Sequence, residues 1–126
     1  MIIGEELVVL SANCQGLQSK TKRLDVLDYL SKRNAGIICL QDTHWTEKDE
    51  SSVRSIWNGD CITNGQSSNA RGVAILLSNT FEYEIISVFK DNDGNLISLD
   101  INFSDISLKI LNVCAPNTDS AVFYKC

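Results

Sequence analysis

Short apolar runs separated by polar segments predict an α/β fold for this chain. Residues 7–10 form a continuous aliphatic run, which predicts a buried strand ending at Asn13. Leucine, valine and tyrosine then recur at helical spacing, with Thr21 as the predicted cap and Asn34-Ala35-Gly36 as the helix end. Because residues 37–40 form a second apolar run, these elements predict a βαβ unit with parallel strands and a right-handed crossover.

The middle of the chain predicts a shorter helix followed by a strand and an exposed loop. Residues 46–55 are polar and acidic, while Val53, Ile56 and Trp57 provide apolar side chains with which one face of this helix packs. A short strand is expected around Cys61-Ile62. The stretch after it is rich in Gly, Asn and Ser, which predicts an exposed loop.

Further strands follow this loop, and a hairpin joins two of them. The runs that predict these strands are residues 73–77, 84–89, 96–101 and 106–113. Asp93-Gly94 is a typical hairpin turn. No repeat or linker interrupts the pattern, so we expect one sheet-centred α/β unit. Four runs should be buried there in neighbouring strands: residues 7–10, 37–40, 73–77 and 110–113.

The composition is that of an ordinary globular domain. With 126 residues, of which 44% are hydrophobic and 21% charged, the chain is expected to form one domain or part of one. No run approaches the ~18 apolar residues of a membrane span. Glu5 and Glu6 stand where a signal peptide would carry basic residues. We therefore expect a soluble protein inside the cell, nuclear or cytoplasmic, with no membrane partner.

The net charge of −5 argues against nucleic-acid binding through bulk electrostatics, because such binding needs Lys and Arg to neutralise phosphates. One short segment is locally basic and represents either a solvated helix face or a local patch: Lys20, Lys22, Arg23, Lys32 and Arg33. The five cysteines form no Cys-x-x-Cys pair, and four lie in or beside apolar runs. They are therefore expected to be buried, reduced thiols.

Four apolar runs stop at a polar amide, carboxylate or glycine, which is where α/β sheets place their ligand crevices. The segments are Ser11-Ala12-Asn13-Cys14-Gln15-Gly16-Leu17, Ile37-Ile38-Cys39-Leu40-Gln41-Asp42-Thr43-His44, Arg71-Gly72-Val73-Ala74-Ile75-Leu76-Leu77 and Leu111-Asn112-Val113-Cys114-Ala115-Pro116-Asn117-Thr118. In this order they resemble the endonuclease/exonuclease/phosphatase superfamily, most closely the apurinic-type endonuclease domain of non-LTR retrotransposons. The resemblance implies that residues 1–126 are the N-terminal portion of a four-layer, DNase I-like α/β sandwich without its C-terminal half.

The resemblance also implies a site for Mg²⁺ and phosphate. Asn13 and Asp42 are expected to line it, with Asp42 and Asn13 toward the metal, and Asn117 is expected to touch the phosphate or position its neighbours. These three residues are the catalytic candidates. From the residues alone, Asn13 is equally a turn residue and Asp42 equally a cap for the polar segment that follows.

Four positions near this site bear on the resemblance. Asp42 stands where the family usually has glutamate, which reaches roughly 1.5 Å farther. Cys114 stands where the family usually has tyrosine, and a thiol is a weaker hydrogen-bond donor than a phenol. His44 is the only histidine, and the resemblance gives it a supporting or structural role rather than that of the base. Gln15 follows the first strand, where relatives often carry Asn or Asp.

The implied activity is Mg²⁺-dependent cleavage of a DNA backbone. The family's remaining phosphate ligands and its histidine base lie in motifs that this chain does not contain, so we expect the chain alone to be inactive or nearly so. Two alternatives stay open: a phosphatase or phosphodiesterase acting on a small phosphorylated substrate, and a non-catalytic transposon-derived fragment. DNA is the expected partner, bound weakly, and an exposed sheet edge predicts self-association.

Overall fold

The computed structural model describes residues 6–114, which form seven strands and two helices. Their bounds in chain order are β1 (Val9–Asn13), α1 (Lys20–Ser31), β2 (Ile37–Gln41), α2 (Glu47–Arg54), β3 (Gly59–Asn64), β4 (Val73–Ser78), β5 (Glu84–Lys90), β6 (Leu96–Phe103) and β7 (Ile106–Val113). Every strand and both helices expected from the apolar pattern within these residues are present. No helix of this part of the chain is long and apolar enough to cross a membrane.

The strands form two sheets. In the first sheet the order is β1-β2-β4-β3, with β1 parallel to β2 and the other pairs antiparallel. This confirms the predicted parallel pairing across α1. The second sheet is the antiparallel meander β5-β6-β7. At its first turn the Asp91 carboxylate accepts the backbone N–H groups of Asn95 and Leu96, both at 3.0 Å, and Gly94 adopts a φ of 74°. The Asp93-Gly94 hairpin is thus also confirmed.

Two apolar cores separate three layers of structure in residues 6–114. One core lies between the helices and the first sheet and contains Leu27, Leu30, Val53 and Trp57. The other core lies between the two sheets and is built mainly from alternate aliphatic residues of β2, β4 and β6. This mixed α/β arrangement with two sheets has the architecture expected of the N-terminal portion of a DNase I-like sandwich.

Two expectations about the sheet were wrong. Residues 110–113 belong to β7 of the second sheet, not to the sheet that holds the other three runs, because β7 pairs with β6 in a hairpin. They are also not buried throughout, since Leu111 is 61% exposed. The run at residues 7–10 is not buried either: its strand begins at Val9, whose exposed fraction is 52%. Within the described residues β1 is the last strand of its sheet, so it lacks the neighbour that would cover it.

The helix ends also differ from the prediction. α1 begins two residues earlier than expected, because the Ser19 hydroxyl, rather than that of Thr21, caps it by accepting the backbone N–H of Lys22 at 3.3 Å. It ends at Ser31, before Asn34, which adopts a left-handed φ of 56°. On α2's C-terminal side Ile56 stays exposed instead of packing.

Candidate active site

The end of β1 and the end of β2 lie side by side. The two strands are parallel and Asn13 is in register with Gln41, so Asn13 and Asp42 lie at the same edge of the first sheet. The backbone N–H of Cys14 donates to the carbonyl of Gln41 at 2.8 Å, which continues the pairing past the last strand residue. Two of the three predicted site residues therefore share one sheet edge. The third, Asn117, lies outside the described residues.

The backbone beyond Asp42 is held from both sides. On the β1 side, Gly16 donates to the Asp42 carbonyl at 2.7 Å and Leu17 donates to the Thr43 carbonyl at 2.8 Å. On the β4 side, Thr43 donates to the Gly72 carbonyl at 3.1 Å, and His44 donates to the Arg71 carbonyl at 2.7 Å. The three loops that meet here thus form one hydrogen-bonded unit.

Left-handed backbone conformations are concentrated in this unit. Six residues have φ between 53° and 94°: Gln15, Gly16, Asp42, His44, Arg71 and Gly72. Four of them carry a side chain, and such residues adopt this conformation only where the surrounding structure imposes it. Strain of this kind is typical of functional sites, and here it coincides with the predicted one.

The carboxylate of Asp42 has two partners on one oxygen. Oδ1 lies 2.8 Å from Nε2 of His44 and accepts the backbone N–H of Arg71 at 3.2 Å. Because a carboxylate oxygen can only accept, Nε2 is the ring nitrogen that carries the proton in this bond. The Asp42 side chain is 25% exposed and that of His44 is 18% exposed, so the pair is partly shielded from water.

Burial favours the neutral form of the two thiols around this edge. Cys114 is buried at the end of β7, and burial raises its pKa, although the Asp42 backbone N–H beside the thiol partly offsets this. Burial likewise raises the pKa of Cys14 to about 11, with Asp42 adding to the rise and the Lys22 ammonium opposing it. The structure therefore brings Cys114 next to Asp42. All four cysteines in residues 6–114 are free; three are buried as expected, but Cys14 is only partly buried.

Two residues that were not among the predicted site residues help to build this edge. Lys22 reaches back from α1, and its ammonium donates to the carbonyls of Cys14 at 3.0 Å and Gln15 at 3.3 Å. Asn112, which is 2% exposed on β7, accepts the side-chain amide of Gln41 at 2.8 Å. The one signal for Asn112 in the sequence is a polar residue inside an apolar run.

Comparison with known proteins agrees with the strand-end pattern. Residues 10–120 match the endonuclease/exonuclease/phosphatase family. The chain belongs to this family. It is 29% identical over 112 residues to an uncharacterized 149 kDa protein of transposon TX1 from Xenopus laevis, an alignment that covers 89% of this chain and 9% of that protein.

Solved structures of this family's fold are also similar. An AP endonuclease from Archaeoglobus fulgidus superposes with a TM-score of 0.63 at 21% identity, covering 88% of this chain and 42% of that chain. For an AP endonuclease from Leishmania major the TM-score is 0.64 at 14% identity, with coverages of 89% and 41%. For a 3′ phosphatase from Neisseria, bound to a product DNA hairpin, the TM-score is 0.61 at 18% identity, and the match covers 91% of this chain and 45% of that chain. The chain thus spans less than half the length of these structures.

The sheet edge that holds Asn13 and Asp42 offers few metal ligands within the described residues. In residues 6–114 no three His, Cys, Asp or Glu side chains converge as a metal site. Asp42 is the one carboxylate of the hydrogen-bonded unit, and the exposed amide of Asn13 stands on the neighbouring strand. Mg²⁺ is often held by one or two carboxylates, with water and substrate phosphate completing its shell. The donor set of this edge fits that minimal arrangement.

Proposed function

We propose that this chain is part of a Mg²⁺-dependent DNA endonuclease domain of a retrotransposon. Membership of the endonuclease/exonuclease/phosphatase family supports hydrolysis of a phosphate ester. The similarity to a transposon TX1 protein supports the retroelement setting. The observation that carries the proposal is the shared sheet edge of Asn13 and Asp42: Asn13 ends β1 in register with Gln41, and Asp42 directly follows Gln41.

In this proposal Asp42 and Asn13 hold the metal, and Asn117 contacts the phosphate. The ion, when bound, polarises the phosphoryl oxygen and stabilises the charge that develops on it. Asp42 supplies a hard anionic oxygen and Asn13 a neutral one, so the edge binds a cation without adding a second negative charge near the phosphate. The ammonium of Lys22 lies beside the same loop and favours an approaching phosphate.

We propose further that the 126-residue chain by itself does not cleave DNA. It spans 41–45% of the similar solved structures, and a site divided between two halves of a fold loses its rate enhancement when one is missing. Asp42 in place of glutamate and Cys114 in place of tyrosine lower the activity further, since a displacement of about 1 Å in a catalytic group costs on the order of 10²-fold in rate.

DNA binding by the isolated chain should be weak, because its net charge is −5. We also propose that two copies of the chain associate through β1, the outermost strand of the first sheet. Val8 and Val9 are exposed there, and the edge strand presents backbone donors and acceptors to a second copy.

A cleavage assay tests whether the isolated chain is inactive, as proposed. The purified chain and its Asp42→Asn variant are incubated in Mg²⁺ with supercoiled DNA, with an abasic duplex and with an oligonucleotide carrying a 3′ phosphate. We expect no product above the variant's level with any substrate. Nicking that depends on Asp42 would show that the chain alone suffices. Release of phosphate without nicking would favour the phosphatase alternative.

A further inference from the structure

We propose that His44 is a positioning residue that fixes the carboxylate of Asp42 in the orientation in which it binds the metal. This inference rests on the proposed function, because it assigns Asp42 the role of metal ligand. It gives the only histidine of the chain a role distinct from that of a base. Two features support it: how the carboxylate is bonded, and how the imidazole is itself held.

The first feature is the one-sided bonding of the carboxylate. Within residues 6–114, both hydrogen bonds to the Asp42 side chain end on Oδ1, one from His44 Nε2 at 2.8 Å and one from the Arg71 N–H at 3.2 Å. Rotation about either side-chain torsion of Asp42 breaks both bonds. The second oxygen, Oδ2, therefore has a set direction and remains available to a ligand.

The second feature is the fixed position of the imidazole. The backbone N–H of His44 donates to the Arg71 carbonyl at 2.7 Å, which anchors the residue next to β4. Its ring lies over Gly16, where an added Cβ would be 2.8 Å from Nδ1. Gly16 has no side chain, and the ring occupies the space that one would need. The ring is thus confined between Gly16 and Asp42.

The backbone conformation of His44 does not by itself explain the imidazole. Gly and Asn also adopt a φ of 61° readily, so the loop conformation does not require this side chain. The imidazole provides a donor directed at Asp42. This donor also suits the shorter side chain: aspartate has one torsion fewer than glutamate, so two donors on one oxygen suffice to fix it.

Nuclear magnetic resonance on the whole chain tests the inference directly. Three-bond couplings to Cγ report the χ1 rotamer of Asp42, and Mn²⁺ titration reports affinity at the same residue. His44→Gly removes the imidazole and suits the left-handed backbone, whereas His44→Asn keeps a short side-chain donor. Asn34→Gly is the matched control, because Asn34 has a φ of 56° at the far side of α1.

We expect a single Asp42 rotamer in the wild type and averaged couplings in His44→Gly, with Mn²⁺ affinity lowered about tenfold, as for other residues that orient metal ligands. His44→Asn should recover part of both, and Asn34→Gly should change neither. An unchanged rotamer and unchanged affinity in His44→Gly overturn the inference. Mn²⁺ binding that does not depend on Asp42 overturns the proposed function instead, since the rotamer measurement needs no metal.

Discussion

Gln41 donates its side-chain amide to Oδ1 of Asn112 at 2.8 Å, and this bond joins the two sheets beside the candidate site. Asn112 in turn donates to the carbonyls of Leu40 at 3.1 Å and Ala74 at 2.7 Å. One buried amide from β7 therefore bridges β2 and β4 of the other sheet. The contact lies immediately before Asp42 in the chain, so it fixes the strand end from which the candidate ligand extends.

Replacing this amide should destabilise the protein. Asn112→Ala removes the donors to the Leu40 and Ala74 carbonyls and the acceptor of one Gln41 amide bond, so we expect the free energy of unfolding to fall by about 1–3 kcal/mol. Urea denaturation measures the change. Asn102→Ala is the control, because Asn102 lies on β6 in an exposed contact with Ser107. Equal losses in the two variants would contradict the bridging role of Asn112.

Gly16 and His44 should be energetically coupled. Gly16→Ala places a Cβ 2.8 Å from the imidazole and forces a side chain into a φ of 88°, so we expect a loss of about 2 kcal/mol. In the His44→Gly background the ring is gone, and the loss should shrink by at least about 0.5 kcal/mol. Gly94→Ala, also left-handed but at the hairpin turn, should add independently to His44→Gly. A Gly16→Ala cost that is the same in both backgrounds contradicts the packing of the ring on Gly16.

The thiols of Cys14 and Cys39, which are partly or fully buried, should react slowly and should limit stability at high pH. Burial raises the pKa from 9.0 to about 11 in Cys14 and Cys39, so at pH 8 each has about 100-fold less thiolate than an exposed cysteine. Alkylation by iodoacetamide, followed by mass spectrometry, should be slower by that factor than in urea.

The pH dependence of stability follows from the same shifts. Because the folded-state pKa values lie above the unfolded value of 9.0, their stabilising contribution is complete below pH 9. It is lost as the pH rises through 11 and, for Cys61, through about 12. In the iodoacetamide experiment, equal alkylation rates in folded and urea-unfolded protein would contradict the shielding of these thiols and, with it, the raised pKa values.

The exposed edge of β1 should mediate self-association. Val9→Lys adds a charge to this edge, and edge lysines oppose strand pairing between chains. We expect the variant to be monomeric at concentrations where the wild type forms larger species in sedimentation velocity. Leu24→Lys, at an exposed apolar position on α1, is the control and should not change the distribution. A wild-type chain that is monomeric up to high concentration contradicts the prediction.

The fold was predictable where local pattern and chain connectivity agree. Residues 37–40 are buried as expected, because a short continuous aliphatic run is typical of a strand covered on both faces. The βαβ connection predicted that β1 and β2 run in parallel, and this was enough to place Asn13 and Asp42 at one edge. Parallel strands carry the residues after their ends to the same side, whatever the intervening helix.

What the pattern missed depends on partners distant in sequence. An apolar run does not reveal whether a strand has one neighbour or two, so the exposure of Val9 was not predicted. Nor does an apolar run reveal to which sheet its strand belongs. The prediction therefore placed residues 110–113 in the wrong sheet. The contacts of Asp42 with His44 and Arg71 depend on three loops meeting in left-handed conformations, for which residue types other than glycine give little local signal.

The measurement that tests the central claim most directly is Mn²⁺ titration monitored through backbone amide signals of the 126-residue chain. The account predicts selective paramagnetic broadening at Asn13 and residues 41–44, and its loss in Asp42→Asn. Two other acidic stretches provide internal competitors: the first turn of α2 and the hairpin turn at Asp91 and Asp93. Broadening confined to those stretches, or broadening near Asn13 that persists in Asp42→Asn, would contradict the claim that this sheet edge binds the metal.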